Sequence, residues 1–206
     1  MSSLWRRAYL LAVFTIAYNV VEGLVSTWFG TTDDSLTLFG FGVDRFIEAA
    51  SGLGIAHMVL RSRAEGAGPR DPFEKRALTV TGWAFYALAA ALAVTIAWNV
   101  YTGRRPETTL PGVVISVISI AVMLWLIREK TRVGKALGSP AMIADARCTK
   151  VCVYMSLSLL ASSALYEVSG FAHLDNLGAA ALGWFSVVEG RECFAKTKSH
   201  EPCGSC

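Results

Sequence analysis

The chain is 206 residues long, 53% hydrophobic and only 17% charged, with a mean hydropathy of +0.45 and a formal net charge of +3. Soluble domains carry nearer a quarter charged residues, so lipid is indicated as the solvent, and the length suits one membrane domain with no room for a second, soluble one. The small positive charge, gathered at the borders of apolar runs, gives no basis for nucleic-acid binding.

Six runs approach or exceed the about 20 residues that cross a ~30 Å hydrocarbon core. The first, 8–29, follows Trp5-Arg6-Arg7 and has no small-residue cleavage site, so it is expected to stay as a span rather than be removed as a leader. The second, 36–60, comes after the turn-type cluster Thr31-Thr32-Asp33-Asp34, and the third, 77–101, after the cluster at 66–71. A break at 102–106 precedes the fourth run, 111–127, which opens on Pro111. Pro140 stands just ahead of the fifth, 142–168, and prolines belong where a helix starts because the missing N–H would have no partner there. Ser169-Gly170 separates the fifth from the sixth, 174–188. Backbone groups in lipid must bond within their own segment, so these spans are predicted helices. The expected fold class is an all-α membrane bundle of six transmembrane helices. Residues 1–196 form its transmembrane domain, and 197–206 a short, mobile cytoplasmic tail.

Orientation follows from Lys and Arg. Fourteen of the nineteen fall on one side of the predicted membrane, counting Lys130 among them. Only Arg104 and Arg105 fall on the other, and Arg45, Arg147 and Lys150 lie inside spans. Both termini are therefore expected in the cytoplasm, with the protein in a bacterial inner membrane.

The third and fourth spans contain no charged residue. The first contains Glu22, the second Asp44, Arg45 and Glu48, and the fifth Asp145, Arg147, Lys150 and Glu167. A charge at the centre of a spanning helix costs about 2.5–3.5 kcal/mol on insertion scales, so such residues face the bundle interior and serve a purpose. Asp44 and Glu48, four apart, share one face of the second span; Cys148 and Cys152, also four apart, share one face of the fifth. Counted from the helix ends, the two pairs lie within about one helical turn of each other in depth. Two carboxylates and two thiols are the four ligands a Zn²⁺-like ion takes, and thiolates favour soft or borderline ions. Spacing alone equally suits two small buried cysteines, with Asp44 and Glu48 neutralising Arg45, Arg147 and Lys150. His57 falls off the carboxylate face, Cys193 reads as packing, and Gly40, Gly42, Gly52 and Gly54 as points of close helix approach. Cys203-Gly204-Ser205-Cys206 is a CxxC on the tail, suited to transient metal capture or to no role at all.

The wording of the segments resembles the cation diffusion facilitator family of metal–proton antiporters over nearly the whole chain. Ser35-Leu36-Thr37-Leu38-Phe39-Gly40-Phe41-Gly42-Val43-Asp44-Arg45-Phe46-Ile47-Glu48 is similar to that family's Ser…Asp-Ser-x-x-Asp helix, and Glu74-Lys75-Arg76-Ala77 to the entry of its third. Ala144-Asp145-Ala146-Arg147-Cys148-Thr149-Lys150-Val151-Cys152 stands where the family has Ala-Asp-Ala-x-His-x-x-x-Asp, and Asp175 opens the sixth span as the family's Asp-Pro does. Three departures are visible: Cys148 and Cys152 replace His and Asp, Glu48 replaces Asp, and the family's cytoplasmic metal-binding domain is expected to be absent. The resemblance implies a four-ligand site of Asp44, Glu48, Cys148 and Cys152, alternating access, proton exchange and a homodimer. Asp145, Glu22, Cys203 and Cys206 are accessory candidates: Asp145 to guide the ion or hold its helix, Glu22 as a supporting or proton-carrying group or as a partner of Arg45. The expected activity is efflux of a divalent heavy metal, Zn²⁺, Cd²⁺ or Hg²⁺, by a protein that is not an enzyme and has no prosthetic group. The alternatives are a membrane thiol–disulfide oxidoreductase and a non-transporting membrane scaffold.

Overall fold

A computed structural model describes residues 2–65, 72–103, 109–171 and 173–198. It has six α-helices: α1 (Ser2–Thr32), α2 (Leu36–Glu65), α3 (Pro72–Thr102), α4 (Leu110–Leu137), α5 (Pro140–Ser169) and α6 (His173–Lys198). No strand occurs among the described residues, so the all-α membrane class is as the sequence predicts. The shortest helix has 26 residues and the longest 31, so each outruns its apolar stretch at one or both ends.

The predicted breaks have local causes. Asp34, at φ 54°, turns the chain between α1 and α2. The N–H of Gly138, at φ 59°, caps the end of α4, and Ser139 then accepts from the Met142 N–H to cap the start of α5, whose first residue is Pro140. Gly170, at φ 65°, closes α5 through a 2.7 Å bond from its N–H to the Tyr166 carbonyl. The predicted break at 66–71, most of that at 102–106, and the tail with Cys203 and Cys206 lie outside the described residues.

By composition alone α1, α3, α4 and α5 are long and apolar enough to cross a membrane. The helices α2 and α6 carry more charge, and packing shows how that is tolerated. The closest pairs are α1 with α2, α4 with α5 and α3 with α6. Contacts of α1 with α4, α5 with α6, and α2 with α3, α5 and α6 complete the bundle, which leaves α2 the most surrounded helix. Its polar side chains thus face protein rather than lipid, the arrangement a low-dielectric solvent demands. Glycine makes the tightest approach possible: a Cβ on Gly42 would fall 2.6 Å from the Thr27 backbone nitrogen and 3.0 Å from the Gly23 carbonyl, so α1 and α2 touch backbone to backbone there.

Two apolar clusters fill the interior. Leu38, Phe41, Leu92, Met155, Leu159 and Leu182 join α2, α3, α5 and α6; Leu11, Val59, Met123, Leu126, Met142 and Cys152 join α1, α2, α4 and α5. Outward-facing positions are also apolar, with Trp28, Trp83, Trp98, Tyr101 and Trp184 all exposed, as on a surface that meets lipid. Polar bridges tie the helices at one end of the bundle. Asp175 of α6 accepts from the Ser35 hydroxyl and the Leu36 N–H at 2.8 Å each and from the Thr37 N–H at 3.3 Å, so it caps α2 from a distant helix. Glu167 of α5 accepts from the Thr109 N–H at the start of α4, and the Ser162 hydroxyl donates to the Leu174 carbonyl at 2.9 Å.

Candidate metal centre

The centre is built around α2. Asp44 is 1% exposed and Arg45 fully buried, the largest enclosed side chain in the molecule's described part. Gly40 and Gly42, one turn or less before them, draw the neighbouring helices close enough to seal this stretch. Glu48, one turn on, reaches across to α5, where the Cys152 thiol donates to its Oε1 at 2.8 Å. This is the meeting of second and fifth helices that the depth arithmetic anticipates. The side chain of Cys148 lies outside the described residues.

Arg45 turns this pairing into a charged cluster. Its Nη1 donates to Glu48 Oε2 at 2.6 Å, its Nε stands 3.5 Å from Glu22 Oε2, and its Nη2 stands 3.8 Å from Asp44 Oδ2. The guanidinium also lies over the Phe41 ring, 4.3 Å from its centroid, a favourable face for a desolvated cation. Glu22 is further held by the Tyr18 hydroxyl at 3.1 Å. Asp44 is different: neither of its carboxylate oxygens accepts a hydrogen bond from any described residue.

Glu22 makes the pairing with Arg45, at 3.5 Å. Arg147 and Lys150, the other candidate partners for the carboxylates, are both exposed on α5. Asp145 is engaged elsewhere: Lys130 of α4, 1% exposed, bonds its Oδ2 at 2.9 Å and the Thr149 hydroxyl at 3.1 Å. Of its two proposed uses, holding the helix is the one this contact serves. Lys130, counted among the cations beyond the end of the fourth span, is thus enclosed in the bundle against α5. A signal was present in the sequence: Gly112, Ser116, Ser119, Met123, Leu126, Lys130 and Val133 are spaced alternately four and three apart, and Lys130 falls on that inward stripe. Cys193 is buried against α3, near Gly82, as packing. Among the described residues, no three of His, Cys, Asp and Glu stand together in a way that would ligate one ion.

A protein-family comparison matches residues 10–199 to the cation efflux transmembrane domain. No curated protein matches the chain.

Proposed function

The chain belongs to the cation efflux transmembrane family, a family of cation transporters, and from that premise we propose that it exports a divalent heavy-metal cation in exchange for protons. Asp44, Glu48, Cys148 and Cys152 are the proposed ligands. The observation that carries this reading is the thiol of Cys152 bonded to Glu48 across α2 and α5, beside an Asp44 carboxylate that serves no described hydrogen bond. Carboxylates and a thiol together favour Zn²⁺, Cd²⁺ or Hg²⁺ over Mg²⁺ or Ca²⁺. Proton coupling has a direct physical basis. The Cys152 thiol proton points at Glu48, and a metal ion taking both groups must replace that proton; protons arriving from the far side reverse the exchange.

The proposed domain is a single six-span unit, 1–196, followed by the tail 197–206, working as a homodimer in a bacterial inner membrane. Proteoliposomes containing the purified chain should accumulate Zn²⁺ or Cd²⁺ when a pH gradient is imposed, and Mg²⁺ and Ca²⁺ should fail to compete. Equal competition by Mg²⁺ would remove the thiolate site from the mechanism. The fourteen-to-two charge bias supports both termini in the cytoplasm. In a variant with Cys206 as its one cysteine, an impermeant thiol reagent should label only permeabilised cells; labelling of intact cells would invert the topology.

A further inference from the structure

The resemblance that runs through the second helix has serine where this chain has Arg45, and the structure puts that arginine in the middle of the carboxylates rather than on a neighbouring face. We propose that Arg45 is a specificity-determining residue: its guanidinium is a tethered counter-cation that competes with the transported ion for Asp44 and Glu48. The inference rests on the metal-site reading above and deepens it.

Four observations lead there. The guanidinium is fully buried, so it has no water to retreat into. It bonds Glu48 on the oxygen opposite the one that accepts the Cys152 thiol, so an ion bridging Glu48 and Cys152 must contend with it. It stands beside Asp44 at 3.8 Å without a hydrogen bond, a loose contact that an incoming ion displaces at little cost. It also has somewhere to go. Glu22, at 3.5 Å from Nε, and the Phe41 ring, at 4.3 Å, also hold the same guanidinium. Glu22 therefore acts as the partner on which Arg45 rests when Asp44 and Glu48 are engaged by metal.

Charge balance disfavours monovalent ions in this arrangement. Glu22, Asp44 and Glu48 with Arg45 carry a net charge of −2 when ionised, and a Cys152 thiolate makes it −3, so the cluster calls for a multiply charged cation. A monovalent ion leaves most of that buried negative charge in place, and uncompensated charge in a low-dielectric interior is strongly unfavourable. The tethered cation thus raises the threshold for occupancy: an ion must outbid a fixed guanidinium, which a thiophilic divalent ion does by adding a bond to sulfur.

The test is a Cd²⁺ titration of the full chain in lipid nanodiscs, read through the ultraviolet sulfur-to-metal absorbance. The informative variant is the double substitution Arg45→Gln with Glu22→Gln. It removes the competitor and its resting partner together and leaves Asp44 and Glu48 with the same net charge as the parental cluster. It should bind Cd²⁺ roughly tenfold tighter or more, because the ion no longer has to displace a guanidinium bonded to Glu48 and standing at ion-pair distance from Asp44. Binding no tighter than the parent, with saturation still lost in Asp44→Asn, would overturn the role of Arg45 and leave the metal site standing. Absence of saturable, Asp44-dependent binding in the parent would overturn both. A second measurement on the parent needs no altered fold: infrared difference spectra on adding Cd²⁺, with guanidino-¹⁵N-arginine labelling. A label-sensitive arginine band should shift together with the carboxylate bands. Carboxylate changes with no arginine change would equally sink the proposal.

Discussion

Asp44→Asn is expected to abolish metal flux while leaving the protein at least as stable as the parent. The usual objection to such a test is that a buried charge is also a structural partner, so its loss strands a neighbour and unfolds the protein by about 3–5 kcal/mol. The geometry around Asp44 removes the objection. Arg45 keeps its 2.6 Å bond to Glu48 and its approach to Glu22 when Asp44 is neutral. No described hydrogen bond ends on either Asp44 oxygen, so none is broken. A buried polar group without partners is itself a cost of about 1–3 kcal/mol, and neutralising it lowers that cost. Glu48, one turn away on the same helix face, also repels an ionised Asp44, which points the same way. A residue kept where it destabilises the fold is serving another purpose. Flux of Zn²⁺ or Cd²⁺ into proteoliposomes should fall by more than about 100-fold, beyond the 10–100-fold that loss of an outer-sphere partner usually brings. Unfolding temperature in detergent should stay level or rise. Parental flux from a well-folded Asp44→Asn protein would rule out Asp44 as a ligand; a collapse in yield would make it a structural counter-charge.

The sequence made the helices legible because in lipid an apolar run of sufficient length has one backbone solution, and because Pro140, Gly138 and Gly170 mark their ends by backbone geometry alone. It also made legible the contact of the second and fifth helices through Glu48 and Cys152, since rise per residue fixes depth once the ends are known. Side-chain reach was not legible. Arg45 is one residue from Asp44, about 100° around the helix, and the sequence offers it as a partner of Glu22, Asp44 or Glu48 without choosing among them. Its arm is long enough to fold back among Glu22, Asp44 and Glu48, and only the packed neighbours reveal that. The enclosure of Lys130 was not legible for another reason: a charge count gives the side of the membrane and not the burial of a side chain, and the four-and-three spacing that marks it spans a whole helix. Asp175 capping α2 from α6 joins positions about 140 residues apart, beyond any local pattern.

Replacing Cys152 should change which metal is carried more than how fast. Cys152→Ser keeps a small donor facing Glu48 Oε1, so the cross-helix hydrogen bond and the packing against Met123 and Leu126 are largely preserved. It removes the soft thiolate. A site of carboxylates and a hydroxyl has lost the ligand that favours Cd²⁺ and Hg²⁺, so in competition flux assays the preference for Cd²⁺ over Zn²⁺ should fall roughly tenfold, about 1.4 kcal/mol. Changing Cys148→His and Cys152→Asp together goes further, because it supplies a borderline nitrogen and a hard oxygen in place of two sulfurs. That double variant should transport Zn²⁺ well and lose its response to Hg²⁺. The two substitutions also separate ligand chemistry from packing. If Cys152 were only a small buried apolar residue, Cys152→Ala would be the mild change and Cys152→Asp the damaging one, since a carboxylate beside Glu48 would add buried repulsion with nothing to relieve it. If a metal ion sits between them, the order reverses: aspartate sustains Zn²⁺ flux and alanine does not. An unchanged metal ranking across Cys152→Ser and the double variant would exclude the cysteines as ligands.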